Sequence, residues 1–273
     1  MKIKDLLNKE DITKEEKNII LSEILNMSIP DVKINKEKEL SKKEYNNYSK
    51  ILKKVEKGLP VQYALKKAYF YGDSFYVNKN VLIPRPETEY LVEKIDKLIK
   101  GKFNNDNIKI LDIGTGSGVI AITLSKLNKK ADITATDISK KALKIAEKNN
   151  KNRGTNVNFI HTNLYDDIKN EFDVIISNPP YIDFNSKLVE EKVKREEPHI
   201  ALFAEDNGLY FYKEILKNLK KVLKKDHIIA FEIGDSQGKE LSQMAKNYFP
   251  KDEIYIEKDY NKYDRYLFIV SKN

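Results

Sequence analysis

The 273-residue chain contains no cysteine, no tryptophan and only three histidines. The absence of cysteine excludes disulfides and thiolate metal sites, and three scattered histidines offer few ligands for zinc, so no metal is expected. No apolar run approaches the length of a membrane span, and the amino terminus lacks the apolar core of a signal peptide. We therefore expect a metal-free protein that resides in the cytoplasm and does not contact a membrane.

The composition is that of an ordinary globular protein, with 40% hydrophobic and 34% charged residues. The length allows one large domain or two modest ones with a sizeable core. The formal net charge of +8 permits an anionic partner such as nucleic acid. However, lysine, asparagine and isoleucine are abundant throughout, and most lysines lie beside glutamates on polar helix faces. The charge therefore carries little weight as the sign of a partner.

Residues 1–67 are predicted to form a small helical bundle. Two capping boxes, residues 13–16 (Thr-Lys-Glu-Glu) and 41–44 (Ser-Lys-Lys-Glu), each open a helix. Apolar positions then recur at helical spacing, which indicates buried faces: Ile19, Ile20, Leu21 and Ile24 in the first helix, and Tyr45, Tyr48, Ile51, Leu52 and Val55 in the second. No chemistry is evident in this region.

The helical spacing of apolar residues ends before residues 68–84, where short apolar runs, including 75–77 and 81–83, predict strands separated by turns. These strands are expected to form a β-hairpin that links two domains. Pro84 and Pro86 then hold Arg85 in an extended segment. Arg85 is either a fixed cation beside a cleft or a surface salt-bridge partner. Thr88 is predicted to cap a helix over residues 89–99.

From there, strands and helices alternate, which indicates an α/β fold. A strand over residues 108–113 feeds a glycine-rich loop that opens a helix, as in nucleotide-binding turns. The loop pattern is GxGxG, and an aspartate precedes it, which favours S-adenosylmethionine over a dinucleotide. The predicted cofactor contacts of this segment are Asp112, Gly114, Thr115, Gly116, Ser117 and Gly118.

Two later strand ends supply further candidate cofactor contacts. Asp137 ends the predicted strand 132–137 and can accept both hydroxyls of a ribose. Ser139 is predicted to cap the following helix, so that Asp137 is not needed as a cap, and Ile138 is assigned to the cofactor with Asp137. Asn163 and Leu164 follow the predicted strand 157–162 and are expected to meet an adenine by hydrogen bond and apolar contact.

Residues 177–181, Ser-Asn-Pro-Pro-Tyr, follow an apolar run that predicts a buried central strand. The prolines stop that strand and hold Asn178 on a stiff turn at its carboxyl end, where ligands bind in open α/β sheets. A planar substrate with an NH2 group could donate to the Asn178 oxygen and to a turn carbonyl, and rest on the ring of Tyr181. Two fixed acceptors would aim the nitrogen lone pair and stabilise its developing charge. The alternative is a strand-ending turn with an incidental asparagine.

The remaining predicted site residues lie on the turn after the central strand and at Arg85. The predicted catalytic residues are Asn178, Pro179 and Tyr181. The predicted substrate contacts are Asn178, Pro179, Pro180, Tyr181 and Arg85, and Asn178 is also assigned to the cofactor. The polar stretch 182–207 is long for a connection, which suggests a loop on the substrate side.

With these residues in view, the chain resembles the HemK/PrmC family of release factor glutamine methyltransferases over nearly its whole length. The Asn-Pro-Pro-Tyr turn alone is shared with adenine and cytosine amino-methyltransferases, whereas residues 82–89 (Leu-Ile-Pro-Arg-Pro-Glu-Thr-Glu) behind a helical amino-terminal region are much more specific. The resemblance also rests on residues 111–118, 135–139, 172–181, 197–202 and 207–209, on residues 232–234 with Gln237, and on residues 264–265.

The resemblance implies a helical bundle over residues 1–67 that recognises the release factor, a β-hairpin linker over 68–84 and a class I, Rossmann-like methyltransferase domain over 85–273. That domain would contain a seven-stranded, mostly parallel sheet. The implied reaction is S-adenosylmethionine-dependent N5-methylation of the glutamine in the Gly-Gly-Gln loop of peptide chain release factors, with S-adenosylhomocysteine as product. A monomer is expected.

By resemblance, the three loop glycines would cradle the methionine part of the cofactor, Asp137 would hold the ribose, and residues 178–181 would bind the glutamine side chain. Asn163 and Leu164 depart from the family pattern, which often has an acidic and an aromatic residue there. The amide oxygen of Asn163 can still reach the adenine amino group.

Two rival hypotheses stay open at this point. The first is an adenine amino-methyltransferase acting on nucleic acid, which would transfer methyl groups to bulk DNA or RNA. We see no dedicated target-recognition domain, so nucleic acid is not the expected substrate. The second is a non-catalytic basic binding module that retains the fold, which would fail to bind S-adenosylmethionine. The intact glycine loop, Asp137 and Asn178 argue against it.

Overall fold

The computed structural model describes residues 1–8, 12–103, 107–186 and 191–272. The helices are α1 (Ile3–Leu7), α2 (Lys14–Leu25), α3 (Ile29–Ile34), α4 (Lys42–Val55), α5 (Val61–Leu65), α6 (Pro86–Lys102), α7 (Val119–Leu127), α8 (Lys140–Arg153), α9 (Glu191–Glu196), α10 (Tyr210–Asn218) and α11 (Gly238–Tyr248). The strands are β1 (Ala68–Phe70), β2 (Asp73–Phe75), β3 (Lys109–Ile113), β4 (Asp132–Asp137), β5 (Val157–His161), β6 (Phe172–Ser177), β7 (Ile182–Asp183), β8 (Phe203–Ala204), β9 (Leu223–Glu232), β10 (Glu253–Lys258) and β11 (Asp264–Val270). No helix in these ranges is both long and apolar enough to cross a membrane.

The chain divides into two compact units. The smaller contains Met1–Lys67 together with Glu191–Glu196, and the larger contains Ala68–Glu190 and Glu197–Asn273. The smaller unit is therefore not continuous in sequence, because α9 comes from a much later part of the chain. The hairpin of β1 and β2 is part of the larger unit.

The smaller unit is a bundle of short helices around an apolar core that includes Ile3, Ile20, Leu21 and Tyr48. Both predicted capping boxes are confirmed. In α2 the Thr13 hydroxyl accepts the backbone N–H of Glu16, whose carboxylate accepts the N–H of Thr13. Ser41 and Glu44 make the same pair of bonds at the start of α4. Each box satisfies amide groups that would otherwise lack partners at a helix end.

The larger unit is built on a seven-stranded sheet in the order β10-β11-β9-β6-β3-β4-β5, in which β11 runs antiparallel to both neighbours and the strands from β9 to β5 are parallel. The predicted class I methyltransferase fold is confirmed. The chain winds outward from β3 through β4 and β5, then returns to β6 on the other side of β3. The switch point of this topology, where ligands bind in such sheets, therefore lies between the carboxyl ends of β3 and β6.

Side chains alternate along the central strands and so supply two cores. Ile110 of β3 and Ile176 of β6 pack in one apolar cluster, whereas Leu111 of β3 and Ile175 of β6 pack in the other. This alternation is the two-residue period of a strand, and both faces of the sheet are covered, as parallel sheets require. All of β6 is buried, so the turn that follows it is anchored in the centre of the unit.

Four local predictions differ from the structure. Of residues 75–77, only Phe75 lies in a strand, which is β2 (Asp73–Phe75). Residues 81–83 form no strand, because Asn78 starts a turn: its side chain accepts the N–H of Asn80 and its carbonyl accepts the N–H of Val81. Thr88 does not cap a helix over 89–99, because α6 already begins at Pro86 and the Thr88 hydroxyl bonds elsewhere. The stretch 182–207 is also more than a loop, since it contains the short pair β7–β8 and α9.

Candidate active site

A cavity opens at the carboxyl ends of β3, β4 and β6, and the structure brings most of the predicted site residues to its wall. These residues are Arg85, Gly114, Thr115, Gly116, Ser117, Asp137, Ile138, Asn163, Leu164, Asn178, Pro179 and Pro180. Three predicted residues, Asp112, Gly118 and Tyr181, do not line the cavity. Apolar residues that sequence reasoning did not assign, among them Leu82, Ile200 and Phe211, complete the wall.

The glycine loop separates into two parts with different roles. Gly114 and Gly116 have φ of 74° and 57°, and a Cβ added to either would meet no atom within 4 Å. Both therefore leave the cavity open beside the backbone. At Gly118, by contrast, an added Cβ would lie 2.9 Å from Ile122 Cδ1 and 3.1 Å from Ala146 Cβ. Gly118 thus allows close packing of α7 against α8 and does not line the cavity.

Asp112 lies behind the loop. It is fully buried, and its Oδ2 accepts a 2.6 Å hydrogen bond from the Thr115 hydroxyl. Burial raises the pKa of Asp112 to about 7, and the hydrogen bond from Thr115 opposes that rise. The predicted cofactor contact Asp112 is therefore a support that fixes the loop from within.

Asp137 is held at the end of β4 by two backbone amides. Its Oδ2 accepts the N–H of Gly116 and its Oδ1 the N–H of Ser139, both at 2.8 Å. Partial burial raises the pKa of Asp137, and these two hydrogen bonds oppose the rise. Each carboxylate oxygen keeps a second lone pair, so Asp137 can still accept two hydroxyl groups. Ser139 caps α8 by accepting the N–H of Ala142, which confirms its predicted role.

The end of the cavity near β5 combines an exposed amide with apolar side chains. Asn163 donates its Nδ2 to Asp166 at 3.1 Å, which leaves its Oδ1 as an acceptor. Leu164 has a φ of 48°, a conformation uncommon for leucine, and the Thr136 hydroxyl donates to its carbonyl at 2.6 Å. With Ile138, which is 52% exposed, Leu164 offers apolar surface suited to a flat ring.

The turn after β6 is joined to its surroundings by side chains from distant parts of the sequence. Ser177 donates to the carbonyl of Ile113 at 2.7 Å and so ties β6 to the end of β3. Asn178 donates its Nδ2 to the Thr88 hydroxyl oxygen at 3.2 Å, and that hydroxyl donates to Oε2 of Glu232 at 2.7 Å. Glu232 ends β9, is buried, and has a pKa raised to about 7 chiefly by that burial.

The position of Tyr181 is fixed by contacts of its backbone carbonyl. Its carbonyl accepts a 3.1 Å hydrogen bond from Gln237 Nε2 and passes so close to Gly208 that an added Cβ would lie 2.1 Å from the carbonyl oxygen. Burial raises the pKa of the Tyr181 hydroxyl above its usual range, so the phenol stays neutral. The ring packs against the apolar core beneath the turn, and the structure does not place it on the cavity wall.

Of the two alternatives for Arg85, the structure shows the cation beside a cleft, and its ion-pair partner is buried rather than on the surface. Arg85 lines the cavity, and its guanidinium makes a 2.6 Å ion pair with the buried carboxylate of Glu197. Glu197 also accepts the N–H of Ile83 at 3.1 Å. The ion pair therefore fixes the proline-flanked segment against the stretch that follows α9. Within the described ranges, no group of three or more histidine, cysteine or acidic residues could hold a metal ion.

Thr88, Glu197, Glu232 and Gln237 were not assigned to the site from sequence. Each lies in a segment that carries the family resemblance, which was the available signal. However, the bonds that join them to Ile83, Asn178, Tyr181 and each other span 56 to 144 residues of the chain, and spacing cannot pair such residues.

Two family models match the chain. The PrmC N-terminal domain matches residues 2–65, and the Methyltransferase small domain matches residues 87–196. Among curated proteins, the release factor glutamine methyltransferase of Bacillus cereus is 35% identical over 92% of this chain and 90% of its own length. That of Mycoplasma mycoides is 37% identical over 96% and 93%, and that of Bacillus subtilis 39% identical over 80% and 78%.

Solved structures show the same fold at low sequence identity. A methyltransferase from Pyrococcus furiosus gives a TM-score of 0.55 at 18% identity and covers 74% of this chain and 91% of its own. The catalytic domain of hMettl16, solved with an RNA hairpin, gives 0.57 at 20% identity, with coverages of 74% and 77%. The 16S rRNA N2 G1207 methyltransferase of T. thermophilus, solved with AdoMet and guanosine, gives 0.54 at 13% identity, with coverages of 76% and 50%.

Proposed function

The chain belongs to the family of release factor glutamine methyltransferases, and on that premise we propose that it methylates the side-chain amide nitrogen (N5) of the glutamine in the Gly-Gly-Gln motif of peptide chain release factors, with S-adenosylmethionine as methyl donor. The observation that carries the proposal is the placement of Asn178 on the wall of the same cavity that Gly114, Gly116 and Asp137 line. Donor and acceptor sites thus share one space.

The residues present fit S-adenosylmethionine. Gly114 and Gly116 leave room beside the backbone, Asp137 retains lone pairs for ribose hydroxyls, and Asn163 Oδ1 with the apolar surface of Leu164 and Ile138 suits an adenine. When bound, S-adenosylmethionine supplies a methyl group already activated by a sulfonium. The protein therefore has to orient the acceptor more than to activate the donor.

Orientation of the acceptor is the task of the Asn-Pro-Pro-Tyr turn. Oδ1 of Asn178 accepts one hydrogen of the glutamine amide, and the backbone carbonyl of Pro179 accepts the other. These two acceptors hold the NH2 group so that its lone pair points out of the amide plane, and they stabilise the positive charge that develops on nitrogen. The proton leaves after transfer, when the nitrogen is acidic, so no strong base is needed.

The remaining features of the proposal follow from a release factor substrate. We assign recognition of the release factor to the helical bundle of residues 1–67, with Arg85 on the substrate side of the cavity. Translation termination takes place in the cytoplasm, which is therefore the expected location. The protein acts as a monomer in this proposal, without a metal and without nucleic acid as substrate.

The test uses labelled S-adenosylmethionine, the purified protein and a recombinant release factor, with a Gly-Gly-Ala release factor as control. Label on the native factor that is absent from the control supports the proposal. Label on added RNA or DNA, with none on the release factor, would replace it with the adenine amino-methyltransferase hypothesis. Bound cofactor without label on any acceptor would reject the proposed substrate.

A further inference from the structure

A chain of two hydrogen bonds runs behind the amide of Asn178. The first joins Asn178 Nδ2 to the Thr88 hydroxyl oxygen at 3.2 Å, and the second joins that hydroxyl to Glu232 Oε2 at 2.7 Å. Thr88 and Glu232 are only 3% and 2% exposed, so the bond between them is shielded from water, whereas the bond from Asn178 lies at the cavity wall. The three residues come from the first turn of α6, the turn after β6 and the end of β9, all within the larger unit.

The number of hydrogens on each group decides which group donates and which accepts in these two hydrogen bonds. An ionised carboxylate has no hydrogen to give, so the Thr88 hydroxyl must donate its one hydrogen to Glu232. Thr88 can then only accept from Asn178, and only the NH2 end of that amide can donate. The other end, Oδ1, is thereby directed away from Thr88. A freely turning asparagine could present either end to a ligand, whereas this one presents an acceptor.

We propose that Thr88 and Glu232 are positioning residues for methyl transfer, which hold the Asn178 carboxamide with Oδ1 available to the substrate NH2 group. This inference rests on the proposed function and deepens it. Neither residue touches the reacting atoms in this scheme. They act through Asn178, by making one of its two amide orientations the stable one.

The proposal predicts that the chain of bonds loses its direction when Glu232 takes up a proton. A protonated carboxyl can donate to Thr88, and the Thr88 hydroxyl can then donate to Asn178 Oδ1, which holds the amide the wrong way round. Burial raises the pKa of Glu232 to about 7, so this change falls near neutral pH. Turnover should therefore fall as the pH is lowered through about 7.

The charged and titratable groups around Glu232 shift its pKa in both directions. The hydrogen bond from Thr88 favours the ionised form of Glu232, as does Arg265 on β11, and Glu87 on α6 opposes it. Three phenols also face this site, and their pKa values are raised, which keeps them neutral: Tyr181 after β6, Tyr212 on α10 and Tyr266 on β11. Among the described residues, Arg265 and Glu87 are thus the charged groups that act most strongly on the pKa of Glu232.

The test compares three variants in glutamine methylation across a range of pH. Thr88→Val keeps the shape and removes the hydroxyl, so kcat should fall by about 10²-fold, with little change in the KM for release factor or the affinity for S-adenosylmethionine. Thr88→Ser restores the hydroxyl and should recover most of the rate. Glu232→Gln carries an NH2 group that can donate as the protonated carboxyl does, and it does not titrate, so its rate should be low and should not vary with pH around 7.

Thr123→Val is the matched control. Thr123 is buried on α7, and its hydroxyl has no partner within the described ranges, so this variant should keep the wild-type rate and pH profile. The positioning role is rejected if Thr88→Val keeps the wild-type kcat, or if Glu232→Gln keeps the acid limb, while the wild type methylates glutamine. A wild type that transfers nothing to glutamine would instead reject the proposed function, and the positioning role with it.

Discussion

At the scale of single residues, the proposed mechanism places two requirements on the side chain of Asn178. It must be rigid, which the following prolines and the bond to Thr88 provide, and it must keep an acceptor facing the cavity. An alanine at this position would leave the glycine loop and Asp137 in place but would remove that acceptor.

We therefore expect Asn178→Ala to lower the rate of methyl transfer by about 10²- to 10³-fold, because a fixed acceptor of the developing charge is lost. The affinity for S-adenosylmethionine, measured by calorimetry, should change little. Asn158→Ala, on the exposed side of β5, is the control and should behave as wild type. Retained turnover in Asn178→Ala would show that the two-acceptor mechanism is wrong.

A second prediction at this scale separates backbone strain from ligand contact. Gly116 and Gly154 have similar φ, 57° and 66°, and neither has an atom within 4 Å of an added Cβ. Alanine should cost each site about 1–2 kcal/mol of stability, because both positions are left-handed. Gly116 lines the cavity, whereas Gly154 ends α8.

Only Gly116→Ala should therefore weaken binding of S-adenosylmethionine, which calorimetry measures alongside the melting temperature of both variants. Equal affinities in the two variants would mean that the cofactor does not approach the loop at Gly116.

The residue scale is also where sequence reasoning reached its limit. The cavity wall was predicted well from strand ends, a glycine loop and two prolines, because each of these is a local pattern. Thr88 was predicted as a helix cap and is instead a link between Asn178 and Glu232. Its partners lie 90 and 144 residues away, and local propensity contains no information on such pairs.

At the scale of elements, the helix starts predicted at Thr13, Ser41 and Ser139 are confirmed, because capping signals are local. The exception is α6, which begins at Pro86, ahead of the predicted cap Thr88. At the start of α4, the Ser41 hydroxyl accepts the N–H of Glu44, and the Glu44 carboxylate accepts the N–H of Ser41. Ser41→Ala should lower the stability of the bundle by about 1 kcal/mol, because one amide at the helix start loses its partner. Thermal unfolding measures the loss.

Ser49→Ala, inside α4, is the matched control and should be neutral or slightly stabilising, since alanine has the highest helix propensity. A loss of stability for Ser49→Ala as large as that for Ser41→Ala would exclude capping as the cause.

Strand prediction was less reliable than helix-end prediction. Strands β3 and β6 were predicted correctly because their apolar runs lie in the centre of a covered sheet. Residues 81–83 have an equally strand-like composition but form none, although Val81 and Ile83 are buried. The turn at Asn78 and the prolines that follow deny this segment a neighbouring strand, and burial is achieved without a ladder.

At the scale of the whole molecule, two buried acids should make stability depend on pH. The pKa values of Asp112 and Glu232 rise from the ordinary 3.8 and 4.5 to about 7 in the folded protein. Below the ordinary values both states hold these protons. Between the ordinary values and about 7, only the folded state holds these protons. The free energy of unfolding therefore falls as the pH rises, by about 4 kcal/mol for Asp112 and about 3 kcal/mol for Glu232.

Glu232→Gln should therefore raise the melting temperature relative to wild type above about pH 7, with a difference that shrinks towards pH 5, because the wild-type carboxyl is then already neutral. Asp112→Asn should follow the same trend. Parallel curves of melting temperature against pH for wild type and Glu232→Gln would show that this carboxyl does not titrate in the expected window.

Because the smaller unit is discontinuous in sequence, it cannot be complete until most of the chain has been synthesised. Residues 1–67 leave the ribosome first, but α9, which completes that unit and carries the Lys192 partner of Glu16, is made only by residue 196. At elongation rates of about 5–20 residues per second, roughly 6–26 s separate the two events. During that interval the nascent bundle has its apolar core residues but lacks α9, and Glu16 lacks its ion-pair partner Lys192.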